Sequence, residues 1–235
     1  MFNSNQLDVR NAILADISPG DFSLLRGHLE RVEMLAGAIL QGAAEPARHI
    51  YFVERGIISL LAPLEQGGRI EVGHVGREGA AGVHAALGAG TLISEIMAQS
   101  DGIVLRADSL AVRGMIEESA QLRHKLNGFA NLLYAQVVQT AACNTAHEVV
   151  QRLARWLLMV HDRTEGDTLY LTHELIALML GVTRPGVTIA AGSLQKSGLV
   201  QYTRGRLTIV DRPGLEAAAC ECYGIIAAYC AAERI

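Results

Sequence analysis

Residues His173 to Gly192, HELIALMLGVTRPGVTIAAG, have the spacing of a helix-turn-helix that reads DNA. Gly181 stands at the sharp turn, where a residue without a Cβ adopts positive φ at no steric cost. Thr183 and Pro185 suit the N-cap and first turn of a second helix, which we predict from about Arg184 to Lys196. Apolar residues at helical spacing would bury the inner faces of both helices; they are Ile176, Leu180, Val182, Val187, Ala190 and Leu194. The segment predicts binding of duplex DNA, and an αα-hairpin inside a helical domain is the alternative.

The residues that follow, SGLVQYTRGRLTIVD, predict a β-hairpin. Two β-prone runs, Leu199 to Tyr202 and Leu207 to Val210, flank a short stretch that contains glycine. Arg204 and Arg206 lie at its tip, where guanidinium groups can contact phosphates. A basic hairpin beside a helix-turn-helix favours the wing of a winged helix over a solvated turn.

Composition limits the class of protein. The chain of 235 residues is 50% hydrophobic, which is enough for two modest domains. No apolar run is as long as a membrane span and the N-terminus shows no secretory signal, so we expect a cytoplasmic protein with no membrane partner. The few cysteines fit reduced thiols better than a disulfide framework; they are Cys143, Cys220, Cys222 and Cys230.

The formal net charge of -4 is unevenly distributed. Residues 146–213 carry 8 Lys and Arg against 6 Asp and Glu, whereas residues 1–145 carry 11 against 15. The basic excess coincides with the predicted DNA-reading segment, and Arg152, Arg155 and Arg163 would give a helix predicted over 147–160 a basic side. Because the excess is small, DNA affinity must depend on local placement of charge, and a dimer would double the contacts.

The chain before this segment changes its periodicity twice. From about Arg48 to Ala107 it reads as short β runs separated by glycines, the pattern of an antiparallel sandwich or roll. From Ser119 to Thr145 an apolar stripe predicts a long helix, which forms a parallel dimer, packs on its own β domain, or does each at different turns. The predicted dimer residues are Leu122, Leu126, Phe129, Leu133, Val137 and Thr140. No catalytic motif occurs, so we predict that the chain is not an enzyme.

The order of β roll, long helix and winged helix-turn-helix resembles the Crp/Fnr superfamily of bacterial transcription regulators. The resemblance reaches to about Pro213 and is most specific in IYFVERGIISL at 50–60, in Gly-Arg-Glu-Gly at 76–79 and in LTHELIALMLGVTRPGVT at 171–188. It implies an α+β fold with four parts: a cyclic-nucleotide-binding-like β-roll or jelly-roll sensor domain (1–118), a dimerisation helix (119–146), a winged helix-turn-helix domain (147–213) and a C-terminal helical tail (214–235).

The resemblance also implies a function. A homodimer would place paired recognition helices in successive major grooves, roughly 34 Å apart, on an inverted-repeat operator, and would act with RNA polymerase. Arg184 would contact guanine with Thr188 beside it, while Thr172, His173 and Thr183 would position the motif on phosphates. The family pattern Arg-Glu-x-x-x-Arg is not kept, because Pro185 and Ile189 occupy its later two places.

The sensor domain departs from members that bind cyclic AMP. Those members hold the cyclic phosphate with a Gly-Glu pair and an Arg followed by Ser or Thr. The corresponding places here are Gly82-Val83 and Ile93-Ser94, and Val137-Val138 replaces the hydroxyl pair that touches adenine. An apolar residue cannot replace a guanidinium against a buried anion, so we expect no cyclic AMP. The candidate pocket for an unidentified effector comprises Gly82, Val83, Ile93, Ser94 and Val137.

Other cofactors of the superfamily fit the sequence no better. No cysteine precedes Cys143, which argues against an iron–sulfur cluster held by N-terminal cysteines. A haem or other small-molecule sensor with weak or vestigial DNA binding is the alternative function; His49, His74 and His84 are available, but the expected Cys ligand is absent. Cys220, Cys222 and Cys230 on the tail suit a metal, oxidation or a helix core equally well, so we assign no metal ligand and no cofactor.

Overall fold

The computed structural model describes residues 5–65 and 67–233 of the chain. The predicted sensor domain starts at residue 1 and the predicted tail ends at residue 235, and both of these ends lie outside the described residues. The chain divides into two compact units. Unit 1 comprises Met1–Ala62, Gly73–Tyr134 and Ala232–Ile235, and unit 2 comprises Pro63–Val72 and Ala135–Ala231.

Two four-stranded sheets form the β-rich N-terminal half of the chain, with strand orders β1-β8-β3-β6 and β2-β7-β4-β5. The strands are β1 (Glu30–Met34), β2 (Ile39–Gln41), β3 (His49–Arg55), β4 (Ile58–Pro63), β5 (Arg69–Val75), β6 (Ala80–Ala81), β7 (Glu95–Ala98) and β8 (Gly102–Asp108). Strand β3 is buried on both faces, which explains its nearly continuous apolar run Ile50 to Val53. Its antiparallel register with β8 shifts between Val53 and Arg55. A Cβ on Gly102 would overlap the Arg55 carbonyl at this irregularity, so the glycine is required there.

A 3-10 helix (Gln6–Asp8) and five α-helices begin in the described part of this half; the α-helices are α1 (Ala12–Asp16), α2 (Pro19–Arg26), α3 (Val83–Ala86), α4 (Ser109–Glu118) and α5 (Ala120–Ala146). The buried amide of Asn11 joins α1 to the β structure. Its Oδ1 accepts from the Leu14 N–H, and its Nδ2 donates to the carbonyls of Val53 at 3.1 Å and Gly79 at 2.8 Å. Burial of a fully bonded amide fixes α1 on the strands.

Helix α5 confirms the predicted long helix but corrects the use of its apolar stripe. Leu122, Leu126, Phe129 and Leu133 are at most 2% exposed within a single chain. A Cβ on Gly79 would overlap the Phe129 ring, so the stripe packs against the β domain of its own unit. The prediction that these four residues line a dimer interface is therefore wrong, and the alternative packing is right for this part of the helix. Val137 is 37% exposed.

Unit 2 is built around helices and a small sheet of order β10-β11-β9. Its elements are α6 (Val149–His161), β9 (Thr168–Tyr170), α7 (His173–Leu180), α8 (Arg184–Lys196), β10 (Val200–Thr203), β11 (Arg206–Ile209), α9 (Arg212–Ala218) and α10 (Cys222–Glu233). Helix α6 is buried on almost every side, including Trp156, whose Nε1 donates to Glu71 Oε2 at 2.6 Å. This bond ties the segment Pro63–Val72 to unit 2.

The predicted basic side of α6 is not observed at Arg152 and Arg155, and the third predicted residue, Arg163, follows the end of the helix and donates from Nη1 to the Met159 carbonyl at 2.8 Å. Arg152 is 9% and Arg155 is 6% exposed. Arg152 donates from Nη2 to the Leu180 carbonyl at the C-terminal end of α7, where the helix dipole favours a cation. Arg155 donates from Nη2 to Thr140 Oγ1 at 3.2 Å. Burial lowers the pKa of Arg152, and both guanidinium groups are structural rather than part of an exposed basic surface.

The tail is held by the guanidinium of Arg212. It donates to Asp162 Oδ1 and to the Tyr223 hydroxyl, both at 2.7 Å, and to Glu216 at 3.0 Å. This network joins the end of α6 to α9 and α10. Among the described residues no single helix is long and apolar enough to cross a membrane, although two bent helix pairs pass on length and composition alone.

Candidate nucleic-acid interface

The two helices of the predicted motif meet at a sharp bend. The axes of α7 and α8 differ by 104°, within the range of helix-turn-helix units. Gly181 adopts φ 61° between them, and the N–H of Val182 donates to the Ala177 carbonyl at 3.1 Å. A Cβ on Gly181 would lie 3.0 Å from Ile70 Cδ1. The predicted turn glycine is confirmed, and α8 has the bounds that the sequence predicts.

Both helices begin with a threonine cap. Thr172 Oγ1 accepts from the Leu175 N–H at 3.1 Å, and Thr183 Oγ1 accepts from the Gly186 N–H at 3.3 Å. Both threonines are exposed. The caps fix where each helix starts.

Arg184 lies on the exposed first turn of α8. Its Nε is 2.7 Å from Glu174 Oε1, and the two side chains are 67% and 63% exposed. An ion pair in such contact with water contributes little to stability, typically about 0–1 kcal/mol. The pair therefore orients Arg184 without preventing its transfer to another acceptor.

His173 links α7, α8 and the hairpin. Its Nδ1 is 3.0 Å from Thr188 Oγ1, and its ring stacks on Tyr202 with centroids 4.6 Å apart. The Tyr202 hydroxyl donates to the Leu171 carbonyl at 2.7 Å, and the Tyr202 N–H donates to Gln195 Oε1 at 2.8 Å. His173 is only partly exposed, so its position suits orienting the motif.

The predicted hairpin is present, one residue from its predicted strand bounds. Arg204 and Gly205 form a two-residue turn with φ 47° and 78°, the conformation of a type I′ hairpin. Arg204 is exposed at the tip. Arg206 begins β11, and its Cζ lies 5.8 Å from the centre of the Tyr170 ring. The wing therefore presents Arg204 freely and Arg206 against an aromatic ring.

An exposed apolar residue on α8 is a feature that sequence analysis did not use. Ile189 is 75% exposed five positions after Arg184 and beside Thr188, which is also exposed. The signal was present, because Ile189 stands where the family pattern has its second arginine. The face combines one guanidinium, one hydroxyl and one aliphatic group.

The candidate effector residues lie in different environments. Val83 is 0% and Ile93 is 88% exposed, and Ser94 is partly exposed. Gly82 has φ 81°, and a Cβ there would lie 2.6 Å from the His49 carbonyl oxygen. The sequence has no Lys or Arg between Arg77 and Arg106, so this stretch supplies no guanidinium for a cyclic phosphate.

Three of the four cysteines lie together elsewhere in unit 2. Cys143, Cys220 and Cys222 are each at most 3% exposed and form one buried cluster. Burial, together with hydrogen bonding to Cys143, raises the pKa of Cys220 to about 12. Burial also raises the pKa of Cys143.

Two family descriptions match the chain. Residues 31–119 match the cyclic nucleotide-binding domain, and residues 151–218 match the Crp-like helix-turn-helix domain. No curated protein matches the chain in sequence.

Solved structures share the fold. One from Eubacterium rectale, described as a transcriptional regulator of the Crp/Fnr family, is 20% identical with a TM-score of 0.71, over 89% of this chain and 98% of that one. FixK2 from Bradyrhizobium japonicum is 18% identical with a TM-score of 0.70, over 82% and 98%. The c-di-GMP responsive global regulator CLP from Xanthomonas campestris is 14% identical with a TM-score of 0.66, over 82% and 99%.

Proposed function

We propose that this chain, which belongs to the Crp/Fnr superfamily of transcription regulators, binds an inverted-repeat operator as a homodimer and acts there with RNA polymerase. The observation that carries the proposal is the exposed Arg184 on the first turn of α8, flanked by the Thr183 cap. Arg204 on the wing adds a second exposed cation on a rigid turn. Phosphate contacts from the wing and the helix N-termini would set the register in which Arg184 reaches a base.

A revised dimer surface supports the proposed homodimer. Among the exposed residues of α5, one set recurs at steps of four and three: Asn127, Asn131, Tyr134, Val138, Ala141 and Thr145. Tyr134 is 71% and Val138 is 48% exposed, and because they lie one helical turn apart they form a contiguous apolar part of this face that a partner would cover. This spacing is that of a two-stranded coiled-coil seam, in which polar residues such as Asn131 fix the register. A second copy of the chain is the proposed partner.

The double variant Tyr134→Glu, Val138→Glu tests this surface. Four carboxylates in one seam would repel each other, so sedimentation equilibrium should find a monomer where the wild type is a dimer. Leu110→Glu is the control, because Leu110 is 73% exposed on α4, away from the seam. A double variant that remains dimeric with wild-type affinity would refute this surface.

The face of α8 also predicts what the operator contains. Arg184 can bind guanine through two parallel hydrogen bonds, and the aliphatic side chain of Ile189 can contact the methyl group of thymine. Replacing Arg184 by Ala should cost about 1–3 kcal/mol per half-site and relax the preference at one base pair. Replacing Ile189 by Ala should remove the discrimination between thymine and uracil at another base pair.

Selection from a random duplex pool tests the function directly. The wild type should enrich two inverted half-sites with centres about 10 base pairs apart, each with a guanine and a thymine. Arg184→Ala should no longer select the guanine, and Ile189→Ala should no longer select the thymine. Uracil in place of thymine should weaken the wild type and leave Ile189→Ala unchanged. Enrichment of no sequence, or of the same sequence by Arg184→Ala, would contradict the proposed readout.

The proposed regulator does not use cyclic AMP. Two observations support this prediction. The sequence has no guanidinium between Arg77 and Arg106, and apolar Val83 and Ile93 stand at the places of the cyclic-phosphate ligands. Operator affinity should be the same with and without cyclic AMP, and an increase on its addition would contradict the proposal. A haem absorption band in the purified protein, with no salt-dependent DNA binding, would instead favour the sensor with vestigial DNA binding.

A further inference from the structure

Three cysteines and one histidine of unit 2 converge where α5 ends and α10 begins. The Sγ atoms of Cys143, Cys220 and Cys222 and a ring nitrogen of His147 all lie within 4.8 Å of one another. The two sulfur atoms of Cys143 and Cys220 are 3.5 Å apart, and Cys222 Sγ is 3.6 Å from His147 Nδ1. Four soft or borderline ligand atoms thus surround one point.

Two of the separations among these atoms match edges of a tetrahedron around zinc. Bonds of about 2.3 Å to sulfur and about 2.0–2.1 Å to nitrogen require edges of about 3.8 Å between sulfurs and about 3.5 Å between sulfur and nitrogen. The Cys143–Cys220 and Cys222–His147 separations differ from these edges by a few tenths of an ångström. A polynuclear iron–sulfur cluster distributes its ligands over several irons and would hold them farther apart, so the geometry fits a single ion.

Groups around the four atoms complete a metal environment. His147 Nε2 is 3.1 Å from Glu221 Oε2, which leaves Nδ1 free to face the sulfurs, as in carboxylate–histidine–zinc arrangements. Gln139 Nε2 donates to Cys222 Sγ at 3.0 Å. Three thiolates and a neutral imidazole around Zn²⁺ carry one net negative charge. The buried Arg155 interacts electrostatically with Cys143 and would offset it.

We propose that Cys143, His147, Cys220 and Cys222 bind one Zn²⁺ ion as a closed structural site. The ligands come in two pairs, Cys-x-x-x-His at the end of α5 and Cys-x-Cys at the start of α10, and Cys143 and Cys220 are 77 positions apart in the chain. The ion would join the C-terminal tail to the end of the long helix. The proposal replaces the expectation of no metal ligand, and Cys230, which the sequence grouped with Cys220 and Cys222, lies outside the site.

Metal analysis and cobalt substitution of the full-length protein test this site. Protein purified under reducing conditions should contain about one zinc per chain, and exchange for Co²⁺ should give the visible absorption of tetrahedral cobalt with thiolate-to-cobalt charge transfer. Cys143→Ser and Cys222→Ser should each abolish this spectrum, whereas Cys230→Ser should keep it. Glu221→Gln should weaken zinc binding by about 10- to 100-fold, because it removes the carboxylate that orients His147.

The cobalt spectrum of the wild type does not depend on any variant folding correctly. A wild type that binds neither zinc nor cobalt after reduction, or an octahedral cobalt spectrum, would overturn the proposal. A Cys143–Cys220 disulfide in metal-free protein, detected by mass spectrometry after alkylation of free thiols, would also overturn it and would indicate a redox role. Loss of metal from Cys230→Ser alone would show that the ligand set is wrong.

Discussion

Arg152 provides a test that separates structural arginines from those that we propose contact DNA. Its guanidinium is buried and donates to the Leu180 carbonyl, whereas Arg204 is exposed at the wing tip. Replacing Arg152 by Met keeps most of the side-chain volume and leaves the Leu180 carbonyl without its charged donor. Losing a hydrogen bond to a charged group costs about 1.5–3 kcal/mol. Arg152 Nε has no partner within the described part of the chain, so its removal returns some of that cost. We expect a net loss of about 1–2 kcal/mol.

Two measurements on the same variants check this reasoning. A loss of about 1–2 kcal/mol corresponds to a melting temperature lower by about 2–8 °C for a protein of this size. Fluorescence anisotropy with a labelled duplex at 50–200 mM salt measures the DNA-binding constant K. The slope of log K against log salt should be the same for Arg152→Met as for the wild type. Arg204→Met should keep the melting temperature. Its slope of log K against log salt should be smaller by about 0.9 for each phosphate contact of an Arg204 guanidinium that is lost. A changed slope with unchanged stability for Arg152→Met would refute its structural assignment.

Three further predictions concern packing within each unit. Gly181→Ala should lower the free energy of unfolding in urea by about 1–2 kcal/mol, because residue 181 has a positive φ. The control Gly192→Ala, on the exposed face of α8, should raise it by about 0.5–1 kcal/mol. Equal effects of the two substitutions would argue against the bend between α7 and α8. Phe129→Ala should cost about 3–5 kcal/mol by the same measurement, and a cost under 1 kcal/mol would place its ring outside the core. Burial and the charge of Asp162 raise the pKa of Tyr223 to about 12, so the unfolded tyrosine loses its proton first as the pH rises. The stabilisation by Tyr223 should be present below a pH of about 10 and lost between about 10 and 12. Tyr223→Phe should flatten the dependence of the free energy of unfolding on pH in this range. An unchanged dependence would contradict the raised pKa of Tyr223.

The DNA-reading segment was the part most accessible from sequence, because its signals are local. Gly181, the Thr183 cap and Pro185 act within one or two turns of the chain, and their conformations depend on nearby backbone atoms. The bounds of α8 and the two-residue wing turn at Arg204 and Gly205 follow from the same kind of signal.

Features that depend on distant partners were not accessible in this way. The stripe through Phe129 has the same periodicity whether a second chain or the β domain covers it, and only burial within one chain decides. Arg152 has the sequence signature of a solvated cation, but it is buried against the end of α7. The thiol and imidazole cluster joins Cys143 and His147 to residues more than 70 positions later, beyond the range of any spacing rule.

The apolar character of the exposed face of α8 affects how the regulator distributes over a chromosome. Pro185, Ile189 and Gly192 are exposed on this face and carry no charge, and the nearest cation, Arg184, is paired with a carboxylate. Attraction to non-cognate DNA is almost wholly electrostatic, so a weakly charged face lowers the number of molecules sequestered at decoy sites. For the proposed operator, fewer copies per cell would then suffice for occupancy. Occupancy would depend more on the methyl and hydrogen-bonding groups of the bases than on ionic strength.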